Sequence, residues 1–132
     1  MVPQILQRRS FTAGRPCVDI TVAGFTFSLR CQIDTFGDYQ LLLLPDTANS
    51  VRFVENLGPS PTRLLDGRPL TTRRGFLDID WYDSTRTVPA RVLRLFDVRG
   101  HPAEIKGFVG GFFFRQEVVQ IDYKSNQVVI SR

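Results

Sequence analysis

Residues 25–37 read FTFSLRCQIDTFG, and the first nine of them alternate strictly between apolar and polar side chains. The apolar set, which would face a core, consists of Phe25, Phe27, Leu29, Cys31 and Ile33. Alternation with a period of two over this length predicts a half-buried β-strand. Asp34 follows directly, where the predicted strand gives way to a loop. A carboxylate in that position is either a solvated strand end or a side chain held for chemistry.

The residues before this strand predict its partner. Val18, Ile20 and Val22 alternate in the same way, and Ala23-Gly24 can form a tight turn. The two strands are therefore expected to pair as an antiparallel hairpin.

Further short strands and turns follow along the chain. Strands are predicted at residues 41–44, 77–81 and 87–96, with a turn at 83–85. Two more hairpins are predicted, one at 64–70 centred on Asp66-Gly67 and one joining 118–122 to 128–131. Most of the chain is thus expected to be β-strand.

Two short helices are predicted between these strands. Asp46 or Thr47 could cap the first, with Val51, Val54 and Leu57 on one side and Gly58 as its end. The second is expected at residues 110–116, after a glycine-containing loop. The expected architecture is a mainly β, barrel-like domain with one or two short helices.

Size and composition favour an ordinary globular protein. The chain has 132 residues, 42% hydrophobic and 23% charged, which suits a single domain over 1–132. Its first residues lack the apolar core of a signal peptide, and no apolar run is long enough for a membrane span. We therefore expect a soluble cytoplasmic protein without a membrane partner. Residues 1–14 are expected to be either irregular or part of an interface.

Charge and cysteine content narrow the functional classes. All but two of the 17 basic residues are arginine, and they are scattered, which argues against a nucleic-acid partner. Cys17 and Cys31 are expected to be small buried side chains, and one histidine is too few for a metal cluster. A cysteine nucleophile would need His101 brought near by the fold. No metal and no cofactor are predicted.

Several short motifs occur in a recognisable order. Ile33-Asp34-Thr35 is followed by Gly37, a leucine run at 41–44 and then Pro45. Leu65-Asp66-Gly67 comes some thirty residues later, and Phe108-Val109-Gly110 lies near the C-terminus. Together they resemble the retropepsin-like (clan AA) aspartic proteases, in particular the small single-domain bacterial branch.

The resemblance implies a fold and a set of site residues. The fold would be a retropepsin-like closed β-barrel, equivalent to half of an acid protease. Asp34, Thr35 and Gly37 would form the catalytic loop, with Thr35 bonding across a dyad and Gly37 letting backbone N–H groups approach. Residues that would form the substrate-binding flap are Leu65, Asp66, Gly67 and Arg68. Residues that would pack beside the catalytic loop are Phe108, Val109 and Gly110.

The chemistry of this class requires two carboxylates. One ionised group activates water while a protonated one polarises the scissile amide, so the pair shares one proton. With one candidate per chain, the dyad would form between the Asp34 side chains of two subunits related by a two-fold axis. The predicted function is a homodimeric aspartic endopeptidase acting on peptide or protein substrates. The alternative is a catalytically inactive dimer of the same fold that serves as a peptide-binding or assembly module.

The catalytic triplet departs from the pattern of the family. Where Asp-Thr-Gly is expected, this chain has Asp34-Thr35-Phe36-Gly37. Either Gly and Phe have exchanged places, or Phe36 has been inserted before the glycine. Pro45 lies one position later than the family spacing, which favours the insertion.

Overall fold

The computed structural model describes residues 2–25, 28–35, 37, 39–47, 51–63, 67, 69–82, 84–94 and 100–132, with the backbone alone at 62, 63 and 70. Within these residues the chain forms ten strands and two 3₁₀ helices. The strands are β1 Ile5–Ser10, β2 Cys17–Val22, β3 Ser28–Asp34, β4 Leu41–Leu43, β5 Glu55–Arg63, β6 Pro69–Trp81, β7 Ser84–Leu93, β8 Gly107–Gly110, β9 Val118–Asp122 and β10 Gln127–Ser131. The 3₁₀ helices are Pro45–Thr47 and Gly111–Phe114.

Six of the strands close into a barrel. Their order is β2-β3-β8-β4-β7-β6, and β6 pairs back onto β2 through Thr21↔Asp80 and Val22↔Ile79. Strand β5 extends the sheet beyond β6 and forms its edge. A separate three-stranded sheet has the order β1-β10-β9. The expectation of a mainly β, closed-barrel architecture is confirmed.

The barrel interior is filled by the apolar face of each strand. Because side chains alternate across a strand, the predicted faces of β2, β3 and β6 all point inward. The largest fully buried side chains in these and neighbouring strands include Trp81, Ile20, Leu41, Leu43, Leu77 and Ile79. Trp81 also packs edge-on against Phe113, whose ring centroid is 5.0 Å away, and so ties the second 3₁₀ helix to the barrel. Removal of this apolar surface from water is the main source of stability.

Two of the three predicted hairpins, at residues 18–33 and 118–131, are present. Strands β2 and β3 pair antiparallel, and β9 pairs antiparallel with β10 around a turn that contains Asn126 at φ 55°. The Asp122 carboxylate accepts hydrogen bonds from the backbone N–H groups of Lys124 and Ser125, at 2.9 and 3.2 Å. Hydrogen bonding from Ser125 and Lys124 lowers the pKa of Asp122 below its ordinary value.

The first predicted helix is wrong. Only Pro45–Thr47 forms a 3₁₀ turn, and from Glu55 the chain is strand β5. Val54 and Leu57 are 58% and 45% exposed, so they do not form a buried helical face. Residues 48–50 lie outside the described part of the chain.

The residues that were expected to end that helix have a different role in β5. Gly58 adopts φ 80° at a register shift between Asn56 and Gly58, where the strand bulges. Pro59 and Pro61 are tolerated because β5 is an edge strand, where a missing N–H leaves no ladder bond broken. In sequence, prolines at these positions are compatible both with an edge strand and with the end of a helix, so the sequence alone could not decide between the two.

Three boundaries also differ from expectation. Residues 5–10 form β1, so that part of the N-terminal segment is regular. Strand β7 begins at Ser84, inside the turn predicted at 83–85, and is described as far as Leu93; residues 95–99 are outside the described part. The second predicted helix is present as the 3₁₀ turn Gly111–Phe114. No helix among the described residues is long and apolar enough to cross a membrane.

Candidate active site

Asp34 is the last residue of β3, and its side chain is partly buried. The strand alternates as predicted over its described residues, so Ile33 points into the core while Asp34 is directed away from it. Asp34 pairs with Gly110 of β8 in a parallel register. This carboxylate is therefore held at the end of a central barrel strand and not on a free surface loop.

A tight turn follows Asp34. The backbone N–H of Gly37 donates to the Asp34 carbonyl oxygen at 3.2 Å, which closes a four-residue turn. Thr35 is exposed at its first central position. A Cβ on Gly37 would lie 2.8 Å from the Tyr39 ring and 3.1 Å from Asp34 Oδ2. A side chain here would force the Tyr39 ring to shift, so glycine allows the ring to lie close to the turn; Phe36 and Asp38 lie outside the described residues.

Tyr39 is a site residue that the sequence analysis missed. Its phenol O–H donates to Asp34 Oδ2 at 2.6 Å, a short hydrogen bond of the kind made to carboxylates. The Tyr39 ring also lies against Gly37. One aromatic side chain therefore both packs on the turn and orients the carboxylate. A tyrosine five residues after the aspartate carries no sequence signal for this contact, because the contact depends on the path of the loop.

The segment Phe108–Gly110 lies beside β3 and the turn that follows Asp34. Strand β8 runs between β3 and β4, parallel to the first and antiparallel to the second. Val109 is fully buried, and the Gly110 N–H donates to the Gln40 carbonyl oxygen at 3.0 Å. A Cβ on Gly110 would overlap the carbonyl oxygen of Tyr39. Gly110 thus packs directly on the segment that carries Tyr39.

The predicted flap is described only in part. Strands β5 and β6 form the arms of an antiparallel hairpin, paired as far as Arg63↔Pro69. Gly67 lies in the connection with φ 85°, a conformation that favours glycine. Leu65, Asp66 and Arg68 lie outside the described residues, so the position of the flap tip over Asp34 stays a prediction.

The described residues do not support a cysteine nucleophile activated by His101. Cys17 and Cys31 are fully buried, and burial raises the pKa of both thiols, which keeps them protonated. His101 Nε2 is 3.0 Å from the carbonyl oxygen of Ile105, and its ring lies against Phe108. Among the residues that the structure describes, no three His, Cys, Asp or Glu side chains are grouped to hold a metal ion.

Comparison with solved structures defines the fold. A retropepsin-like aspartic protease from Rickettsia conorii superposes with a TM-score of 0.59 over 98% of both chains, at 12% sequence identity. The EIAV protease in complex with the inhibitor HBY-793 superposes with a TM-score of 0.56, over 76% of this chain and 86% of that chain, at 13% identity. No protein-family model and no curated protein sequence matches the chain.

These similarities define the class of fold. The chain has a retropepsin-like fold: a closed barrel with an Asp-Thr-containing turn at the end of β3 and a glycine-bearing strand β8 packed beside it.

Proposed function

We propose that this chain is an aspartic endopeptidase that acts as a homodimer, with Asp34 of each subunit forming the catalytic dyad. The observation that carries the proposal is the packing of the Asp34 turn. In a retropepsin-like barrel, Asp34 ends a central strand, Gly37 and Gly110 allow close backbone approach, and Tyr39 orients the carboxylate. These contacts hold the carboxylate in one orientation, which a catalytic group requires.

The chemistry follows from pairing two such carboxylates. Two carboxylates in contact hold one proton between them, because ionising both in one site is unfavourable. The ionised member takes a proton from water as it attacks the peptide carbonyl, and the protonated member donates to the amide. The exposed side chain of Thr35 is available to bond across the dyad, as the resemblance implies.

The terminal sheet supports a dimer. Its strands β1, β9 and β10 border a hollow of about 580 Å³ that is lined mainly by apolar side chains. Val2, Ile5 and Val118 line it and are 90%, 52% and 59% exposed. Large apolar side chains grouped on one face are typical of a surface that a second subunit covers. The terminal strands are accordingly proposed as part of the subunit interface.

Substitution of Asp34 tests the proposal. Asp34→Asn removes the ionisable group and keeps its shape, so peptidase activity on a broad peptide library at mildly acidic pH should disappear. The thermal transition and the dimer mass by light scattering should be unchanged. Asp38→Asn makes the same change of charge in the same loop and should retain most of the activity. Full activity in Asp34→Asn would refute the dyad.

The second candidate is an inactive dimer that binds peptides. The altered triplet with Phe36 before Gly37 favours it, because a glycine does not directly follow Thr35. A wild-type dimer that binds library peptides but cleaves none of them from pH 3 to pH 8 would establish this second function.

A further inference from the structure

A hollow of about 380 Å³ opens next to Tyr39, the residue whose hydroxyl contacts the candidate catalytic carboxylate. Its walls come from β4 to β7, the second 3₁₀ helix and the residues next to β4 and that helix, and include Tyr39, Leu41, Arg74, Arg91, Phe112 and Arg115. Tyr39 belongs to both places, since it lines the hollow and its hydroxyl reaches Asp34 Oδ2. Only the Tyr39 side chain would therefore separate this hollow from a peptide bound at Asp34.

The hollow is strongly basic. Arg74, Arg91 and Arg115 are exposed and line it, and none of its described lining residues is acidic. Within the described part of the chain, these three arginines have no carboxylate partner. Other arginines differ in this respect: Arg30 pairs with Asp19, and Arg86 with Glu117.

The placement of two of these arginines is unfavourable for the fold. Arg74 and Arg91 are direct partners in the β6–β7 ladder, so their side chains share one face. Like charges opposite each other on a sheet destabilise it. Arg73, the preceding residue, instead stacks over the Phe53 ring at 5.9 Å. An anion that binds between Arg74 and Arg91 would relieve their repulsion.

Resting on the proposed function, we propose that this hollow is a specificity subsite for an acidic side chain, Asp or Glu, of the peptide substrate. The guanidinium fork matches a carboxylate, with which it can form two parallel hydrogen bonds. The exposed apolar side chains of Leu57 and Phe112 also line the hollow and provide contacts for the methylene groups and backbone of the peptide. At mildly acidic pH, above about 5, substrate Asp and Glu remain mostly ionised.

The test uses two measurements on matched variants. Cleavage sites of the wild type are mapped by mass spectrometry on a proteome-derived peptide library. Binding of a Glu-containing peptide from that library, and of the same peptide with Gln, is measured by anisotropy on Asp34→Asn, which cannot turn over. If the wild type cleaves nothing, a fixed Glu-scanned peptide set and its Gln counterparts are used. A triple variant carries Arg74→Gln, Arg91→Gln and Arg115→Gln. It is compared with the control variant Arg52→Gln, in which the changed arginine is exposed but does not line the hollow.

The expected result is an enrichment of Asp or Glu at one fixed position from the scissile bond. The triple variant should lose this enrichment and bind the Glu peptide about tenfold more weakly, with the Gln peptide little affected. Arg52→Gln should behave as the wild type. The triple variant should also melt no lower than the wild type, because repulsion between Arg74 and Arg91 is removed.

The outcomes separate this inference from the proposed function. Cleavage without an acidic preference would overturn the subsite and leave the peptidase standing. Absence of cleavage, with Glu-selective binding that depends on the three arginines, would overturn the peptidase and support the subsite. Equal binding of a single-stranded oligonucleotide through the same arginines would overturn the subsite in favour of a general anion surface. Failure to bind or cleave any peptide would overturn both.

Discussion

At the scale of single residues, the site depends on what surrounds Asp34. The carboxylate accepts the Tyr39 hydroxyl at 2.6 Å, and the turn behind it is closed by the Gly37 N–H. The position of Asp34 at the end of an alternating strand is readable from sequence, since alternation and a following turn are both local. The Tyr39 contact is not readable, because it depends on how residues 34–39 fold back on themselves.

The Tyr39 hydroxyl should matter for activity and little for folding. Tyr39→Phe keeps the ring against Gly37 and removes only the bond to Asp34. Loss of a hydrogen bond to a charged group should lower kcat by about tenfold, because the carboxylate is then less well oriented. The measurement is steady-state kinetics with a thermal melt on each variant.

Tyr123→Phe is the matched control for Tyr39→Phe. Tyr123 is exposed and its ring packs edge-on against Phe11, far along the chain from Asp34. The Tyr123→Phe variant should therefore keep the kcat and KM of the wild type. Unchanged kcat in Tyr39→Phe would show that the hydroxyl does not orient the Asp34 carboxylate for catalysis.

At the scale of elements, the decisive feature is the insertion of β8 between β3 and β4. The sequence predicted β3, the 41–44 strand and the terminal hairpins, because each carries its own alternation or turn signal. It did not predict that Glu55–Arg63 is an edge strand, since the glycine and two prolines there are also helix-stop signals. The closed barrel was expected from the family resemblance, but the order of its strands was not predicted, because pairing between distant segments leaves no local pattern.

The position of β8 between β3 and β4 predicts different effects of alanine substitution at the adjacent residues Gly110 and Gly111. A Cβ on Gly110 would overlap the Tyr39 carbonyl oxygen, which belongs to backbone and cannot move aside cheaply. Gly110→Ala should therefore destabilise the fold by more than about 3 kcal/mol and lower the Tm by roughly 10 °C or more. Thermal and urea unfolding measure this directly.

Gly111→Ala is the control one residue away. Among the described residues, a Cβ there would meet only the Thr35 carbonyl oxygen at 3.8 Å, an ordinary contact. Its stability should stay near that of the wild type. Equal stability of the two alanine variants would show that β8 does not press on the Tyr39 segment as described.

At the scale of the whole molecule, the proposed mechanism requires two chains to form one active site. One barrel supplies one Asp34 turn, while peptide hydrolysis by carboxylates needs two acids in different protonation states. In the proposed dimer, the apolar hollow along the terminal sheet would contact the partner subunit, and the arginine-lined hollow beside Tyr39 would bind part of the substrate. Two subunits that share one catalytic dyad should therefore lose activity together when either one lacks Asp34.

The most direct measurement is the activity of mixed dimers. Wild-type and Asp34→Asn subunits are unfolded together in equal amounts, refolded, and assayed for peptide cleavage at mildly acidic pH. If each active site needs Asp34 from both subunits, only wild-type pairs work, and about one quarter of the wild-type activity per total subunit should remain. If about one half remains, each subunit acts independently and the shared dyad is contradicted.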